Sequence, residues 1–174
     1  MDEAVRLAMA RWPNVPDVFG WLSLDRRGRW CLRGEVIAHP GVVAFIGRNY
    51  QCDEMGRWFF QNGPQRVFVS LSCAPWVYRS DGAGGFVTHT GLRVSGLSRV
   101  LSDEQGNLLL VTEHGPGLLE DRDLAALTER IIDDGAEPPK LKLVSDSGVL
   151  PVEQVQSREL AHAFGYKPDP QPVD

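Results

Sequence analysis

Residues 53–71 read DEMGRWFFQNGPQRVFVSL. Two runs of strand-forming residues, Arg57 to Gln61 and Arg66 to Leu71, flank the tetrapeptide Asn62-Gly63-Pro64-Gln65. Aromatic and β-branched side chains suit a pleated, half-buried surface, and Asn-Gly supplies the positive φ that a tight turn needs, so the stretch reads as a β-hairpin. The second strand alternates, with Val67, Val69 and Leu71 on one face and Phe68, Ser70 and Ser72 on the other, which implies a sheet with one buried and one partly wet face. The first strand is aromatic on both faces: Trp58 and Phe60 point one way and Phe59 the other.

The hairpin opens on a frame that recurs. Asp25-x-x-Gly28, Asp53-x-x-Gly56, Asp81-x-x-Gly84 and Asp103-x-x-Gly106 each place Asp three residues before Gly, with Trp30, Trp58, Phe86 or Leu108 two residues after it. Asp accepts hydrogen bonds from turn amides, Gly adopts the left-handed conformation, and the large residue starts the return strand. Successive Asp residues are 28, 28 and 22 apart, too irregular for a strict repeat array, and the frame reads as convergent turn chemistry in an antiparallel meander.

Upstream of the hairpin, residues 2–12 place Val5, Met9 and Trp12 on one helical face before Pro13. Pro40 opens a second short helix that ends near Asn49. Strands are expected at Trp21–Leu24, Arg29–Arg33, Trp76–Arg79, Phe86–Thr90, Ser98–Leu101 and Leu108–Thr112. Gly115-Pro116-Gly117 reads as a loop leading into a helix with Leu124, Leu127 and Ile131 on one face, stopped near Asp134-Gly135. The Ala136–Pro139 linker, a hairpin turning at Asp146-Ser147-Gly148 and a helix from Arg158 to Phe164 follow.

The expected fold is therefore α+β: mainly antiparallel β-hairpins forming a bent sheet or partial barrel, with three or four short helices packed on it. Residues 1–95 form a first lobe of helix and paired hairpins, and 96–166 a second of hairpin, helix, hairpin and short helix, the two belonging to one domain or two. The Pro-rich, charged tail 167–174 is expected to be disordered.

Composition bounds the function. Across 174 residues the net charge is −5, which argues against non-specific nucleic-acid binding because that requires a basic face. The start, MDEAVRLAMARW, has the pattern of neither a signal nor a transit peptide, and no apolar run is long enough to span a bilayer. Cys31, Cys52 and Cys73 are odd in number and match no disulfide framework or metal ligand set, so the expected setting is the cytoplasm, with no cofactor and no metal.

Two candidate sites remain. Aromatics on both strand faces beside arginines suggest a contact surface formed by Arg48, Trp58, Gln61, Asn62, Arg66 and Trp76, suited to a protein partner or a homodimer. That reading makes the chain a non-enzymatic binding module, and its competitor has helices covering both sheet faces. The alternative is a small-molecule or enzyme cleft at Glu113-His114-Gly115-Pro116-Gly117, where glycines let the backbone approach a ligand. The acidic neighbours Glu120 and Asp121 and the missing phosphate-loop Lys weaken it. None of His39, His89, His114 and His162 pairs locally with another His or Cys as a metal ligand set would.

At Phe45-Ile46-Gly47-Arg48-Asn49-Tyr50, at Trp58 through Val67, at Ala74-Pro75-Trp76-Val77 and at Phe164-Gly165-Tyr166, the chain resembles an uncharacterised proteobacterial family of the domain-of-unknown-function type. The resemblance implies a cytoplasmic bacterial protein and carries no activity, cofactor or catalytic residue with it.

Overall fold

The computed structural model describes residues 1–12, 15–133, 135, 140–145 and 148–172. The expected stop at Pro13, the Ala136–Pro139 linker and the turn at Asp146-Ser147 lie outside the described residues. The chain forms two compact units, one comprising Met1–Cys73 with the residues from Gly165 onward, the other Ala74–Phe164. The stretch 91–97, where the sequence suggested a division, lies inside the second unit.

The first unit contains α1 (Glu3–Arg11), β1 (Val18–Leu24), β2 (Trp30–Leu32), β3 (Glu35–Val36), α2 (Pro40–Arg48), β4 (Tyr50–Cys52), β5 (Trp58–Asn62) and β6 (Gln65–Leu71). Its sheet has the order β3-β2-β1-β6-β5-β4. Helix α2 starts where Pro40 takes its first turn, and His39 caps it by accepting from the Val42 amide through Nδ1 at 3.4 Å.

The second unit contains β7 (Trp76–Ser80), β8 (Phe86–Thr88), β9 (Leu97–Ser102), β10 (Leu108–Thr112), β11 (Gly115–Leu119), α3 (Asp121–Thr128), β12 (Ile131–Asp133), β13 (Leu141–Ser145), β14 (Gly148–Gln154), a 3₁₀ turn at Ser157–Glu159 and α4 (Leu160–Ala163). Its sheet runs β12-β13-β14-β9-β10-β11-β7-β8. The fold is α+β and largely antiparallel, as expected. Three pairs are parallel, however: β1 with β6, β7 with β11 and β9 with β14. They join runs of antiparallel strands inside each sheet, which a simple meander does not do.

Those parallel pairs expose an internal correspondence. In the first unit three strands, a helix and three strands are joined by parallel pairing of the first strand with the last, and β9-β10-β11-α3-β12-β13-β14 repeats that plan. The turns at Asp25 and Asp103 occupy the same place in the two plans, between the first and second strands. The hairpin β7–β8, which carries the Asp81 turn, is an addition at the edge of the second sheet. The four frames are thus not consecutive rungs of one meander.

Their local chemistry is as expected. One carboxylate oxygen accepts two amides in each turn: Arg27 and Arg29 on Asp25, Met55 and Arg57 on Asp53, Ala83 and Gly85 on Asp81, Gln105 and Asn107 on Asp103, all at 2.8–3.0 Å. The glycine of each frame has a φ between 71° and 93°. The turns hold because the carboxylate satisfies, within five residues, two amides that the tight backbone leaves over.

Three expectations change. The stretch Gly115–Leu119 is a strand, pairing with β10 and β7, rather than a loop. Gly117 permits this, because a Cβ there would overlap the Tyr78 ring. Helix α3 ends at Thr128, and Ile131 pairs with Leu143 across β12 and β13, where β-branched side chains are better housed than in a helical turn. The tail does not run free through its described part: Lys167 donates to the Gly56 carbonyl at 2.8 Å, Leu71 donates to the Pro168 carbonyl at 2.7 Å, and Pro170 is buried.

Each unit has its own core. In the first, Leu22, Leu24, Trp30, Ile46, Tyr50 and Val69 are buried, with Trp30 edge-on to Tyr50 at 5.0 Å. In the second, Val100, Leu101, Leu108, Leu109 and Leu110 are buried consecutively, so both faces of β9 and β10 are covered.

Candidate ligand-binding groove

The hairpin β5–β6 presents two faces of different chemistry. On one, Phe19 stacks on Phe68 at 4.5 Å and Phe59 lies 5.5 Å from Phe68. Arg57 covers Phe68 at 4.6 Å, and Arg66 lies over Phe59 and Phe68 at 5.7 and 5.4 Å. Asp53 and Asp17 hold these two guanidiniums at 2.8 and 2.6 Å. The Arg57 ion pair and the turn amides keep the Asp53 carboxyl below its ordinary range against the opposing effect of burial. Phe68 and Phe59 are buried, as is Arg57. On this face Phe19, Arg57 and Arg66, rather than a helix, cover Phe68 and Phe59.

The six residues expected to share one surface differ in burial and in partners. Arg48 is exposed and bonded to Asp2 at 3.2 Å. Trp58 is half-buried 4.8 Å from Tyr50. Gln61 is buried and donates to the Gly63 carbonyl at 2.9 Å, Asn62 is exposed, and Arg66 is bound to Asp17. Trp76 belongs to the other unit, where it is buried and donates from Nε1 to the His114 carbonyl at 2.7 Å.

The alternative cleft is tied up in loop support. Glu113 accepts from both the amide and the hydroxyl of Ser95 at 2.6 Å, and His114 Nε2 lies 2.8 Å from the Arg93 carbonyl. The Ser95 bonds pull the Glu113 carboxyl down to about 2. Beside it the buried Tyr78 hydroxyl meets Thr112 at 2.7 Å and donates to the Gly115 carbonyl at 2.8 Å, and burial pushes its pKa up to about 12. These groups clamp residues 93–95 to the β10–β11 turn. Among the described residues no cluster of three or more His, Cys, Asp or Glu could hold a metal ion.

The opposite face of β5–β6 offers the opening that the arginine face lacks. A groove of about 290 Å³ lies between the sheet of the first unit and α2. Leu32, Leu22, Val67 and Phe60, from the adjacent strands β2, β1, β6 and β5, form its floor. Val42 and Ile46 of α2 line it together with Ile37. Asn62 and Gln65 add the polar groups, at the β5–β6 end. Gly20, at φ 73°, breaks the register of β1 against β6 between Val18 and Leu22, and both Trp21 and Leu22 reach the groove. Trp21, Leu32 and Val42 remain 49%, 47% and 43% exposed, so the groove opens to solvent through apolar side chains. No lining side chain titrates.

Of the groove lining, Asn62 alone is among the candidate site residues expected from the sequence. Its strand residues look like ordinary core, and only the tertiary position of α2 leaves them half covered. Trp21, a large aromatic beside a strand glycine, is the one local signal.

A family model, DUF2944, described as a protein of unknown function (DUF2946), matches residues 1–171. No curated protein matches the sequence. Among solved structures, a DUF1285 family protein from Silicibacter pomeroyi DSS-3 is similar with a TM-score of 0.58 at 20% identity, over 84% of this chain and 87% of that one, which establishes a likeness of fold. A DUF1285 family protein from Shewanella baltica OS155 has a TM-score of 0.47 at 15% identity, over 63% of this chain and 91% of that one.

Proposed function

The chain belongs to the family of unknown function whose model spans it, and we propose that this member is a binding module whose ligand site is the apolar groove of its first unit. The observation that carries the reading is the groove itself: about 290 Å³, apolar throughout except for Asn62 and Gln65, and open through exposed Trp21 and Val42. Burying an apolar ligand there removes both its own surface and these side chains from water, which is favourable by about 25 cal/mol per Å². With no titratable group in the lining, the groove binds and orients; it has no means of moving a proton. The binding role expected of the 57–71 hairpin is kept, but it moves to the face bearing Phe60, Asn62, Gln65 and Val67. The free thiols of Cys31 and Cys52 support a reducing, cytoplasmic setting.

Calorimetric titration of the full chain with decan-1-ol tests this. The native protein is expected to bind it, and Val42→Asp to weaken binding at least about tenfold, since a charge in the groove must be desolvated. Val42 lies in the first turn of α2, where a carboxylate suits the helix dipole, so the variant is expected to keep its melting temperature. No binding by the native protein, or equal binding by the variant, overturns the reading.

A further inference from the structure

Arg33 stands beside the groove in an arrangement that the apolar lining does not require. Its guanidinium carbon lies 4.0 Å from the centre of the Trp21 ring, and its amide donates to the Trp21 carbonyl at 2.7 Å. Trp21 and the preceding residue, Leu32, both line the groove. Arg33 and Gly34, at φ 50° and 88°, form the two-residue turn between β2 and β3, which fixes the arginine backbone at that edge of the sheet. Among the described residues no carboxylate forms an ion pair with Arg33, in contrast to Arg29, Arg57 and Arg66, each of which is held by an aspartate. Glu35, two residues on in the same hairpin, is exposed and makes no ion pair with it.

Resting on the reading of the groove as a ligand site, we infer that its ligand is an amphiphilic anion: an apolar, extended tail lying across the floor and an oxyanion head paired with Arg33. The groove runs over four neighbouring strands, β2, β1, β6 and β5, and at roughly 4.8 Å per strand it spans about 14 Å, the reach of a medium-length alkyl chain rather than of a compact ring. Arg33 stands at the β2 end, whereas the lining residues at the β5–β6 end are the neutral amides of Asn62 and Gln65, and Arg66 nearby is already held by Asp17. A guanidinium already laid on an aromatic ring loses little freedom when it donates two hydrogen bonds to an oxyanion, and its planar fork matches carboxylate and phosphate geometry equally. Contact with the open Trp21 ring would then order both the head and the first part of the tail.

The test titrates the full chain with decanoate and with decan-1-ol, two probes of equal tail length, each below its aggregation concentration. The expected result is that decanoate binds about tenfold tighter than the alcohol at low salt, that the preference shrinks as salt is raised, and that Arg33→Asn abolishes it while leaving alcohol binding unchanged. Asn is chosen because it tolerates the left-handed turn position. Arg33→Lys is expected to retain part of the preference through its charge. Decyl phosphate in place of decanoate distinguishes a phosphate head from a carboxylate. Equal binding of decanoate and alcohol by the native protein overturns this inference and leaves the groove assignment standing. Loss of alcohol binding in Arg33→Asn overturns it as well, since Arg33 would then be shaping the groove. Failure of both probes removes the groove assignment itself. Protection of Trp21 only by a second copy of the chain, read as concentration-dependent dimerisation without probe, overturns both.

Discussion

The guanidinium of Arg57 lies 4.6 Å above the centre of the Phe68 ring while its Nε donates to Asp53 at 2.8 Å. One side chain thus joins the turn that opens β5 to the aromatic layer behind β6. The pair is nearly buried, with side-chain exposures of 11% and 14%. Arg57→Ala leaves the Asp53 carboxylate without its cation and uncovers Phe68, and is expected to cost about 3 kcal/mol in urea unfolding. Arg57→Lys restores the charge but not the planar stack, so it is expected to recover only part of that loss. A full recovery with Lys would show that the ring contact contributes nothing.

Gly56 and Gly106 occupy the same position in two turns of the same construction, at φ 76° and 78°. Substitution by Ala strains both, by about 1 kcal/mol. Only at Gly56 would the new Cβ overlap the carbonyl oxygen of Gly165; around Gly106 nothing lies within 4 Å. Gly56→Ala is therefore expected to destabilise clearly more than Gly106→Ala and to loosen the C-terminal segment, measured as faster hydrogen exchange at Lys167. Equal melting temperatures for the two variants would contradict the packing of that segment.

Glu113 gives a pH signature. Its carboxyl titrates at about 2 in the folded chain, against 4.5 for the unperturbed group, chiefly because Ser95 donates to it. A depressed folded value means stability that is fully present above the unfolded value and is lost as pH falls from about 5 towards 2. The group is more than a third exposed, so the effect is screened and modest. Unfolding measured across that window is expected to show a shallower loss in Glu113→Gln than in the native chain. Parallel profiles would remove the Ser95 clamp as the cause.

The groove predicts a dependence on tail length. Each added methylene of a primary alcohol buries at most about 0.8 kcal/mol, up to fourfold in affinity, until the tail spans the four strands of the floor. Calorimetry on a series from hexanol upwards is expected to show a rise and then a plateau. Affinity that ignores chain length would indicate that the apolar floor is not what the ligand touches.

Features that depend on a few neighbouring residues could be read from the chain. The four Asp-x-x-Gly turns close through bonds within five residues, and α2 is announced by His39 and Pro40. The aromatics of the 57–71 hairpin were visible, but whether they faced solvent depended on Phe19, Asp17 and the C-terminal segment, all distant in sequence.

Local sequence is enough to place the turns, because turn geometry is satisfied by nearby donors and acceptors, and alternation and capping are enough for an α+β balance. Tertiary structure decided the parallel pairing of β1 with β6 and of β9 with β14, on which the repeated plan depends. It also converted the two- and three-residue segments β3, β4 and β12 into strands, since so short a run has no periodicity of its own and becomes a strand only when a partner supplies its hydrogen bonds. The groove belongs to the same class: Leu22, Leu32, Phe60 and Val67 are ordinary strand residues until α2 settles over them incompletely, and where a helix stops covering a sheet is set by packing across the whole unit.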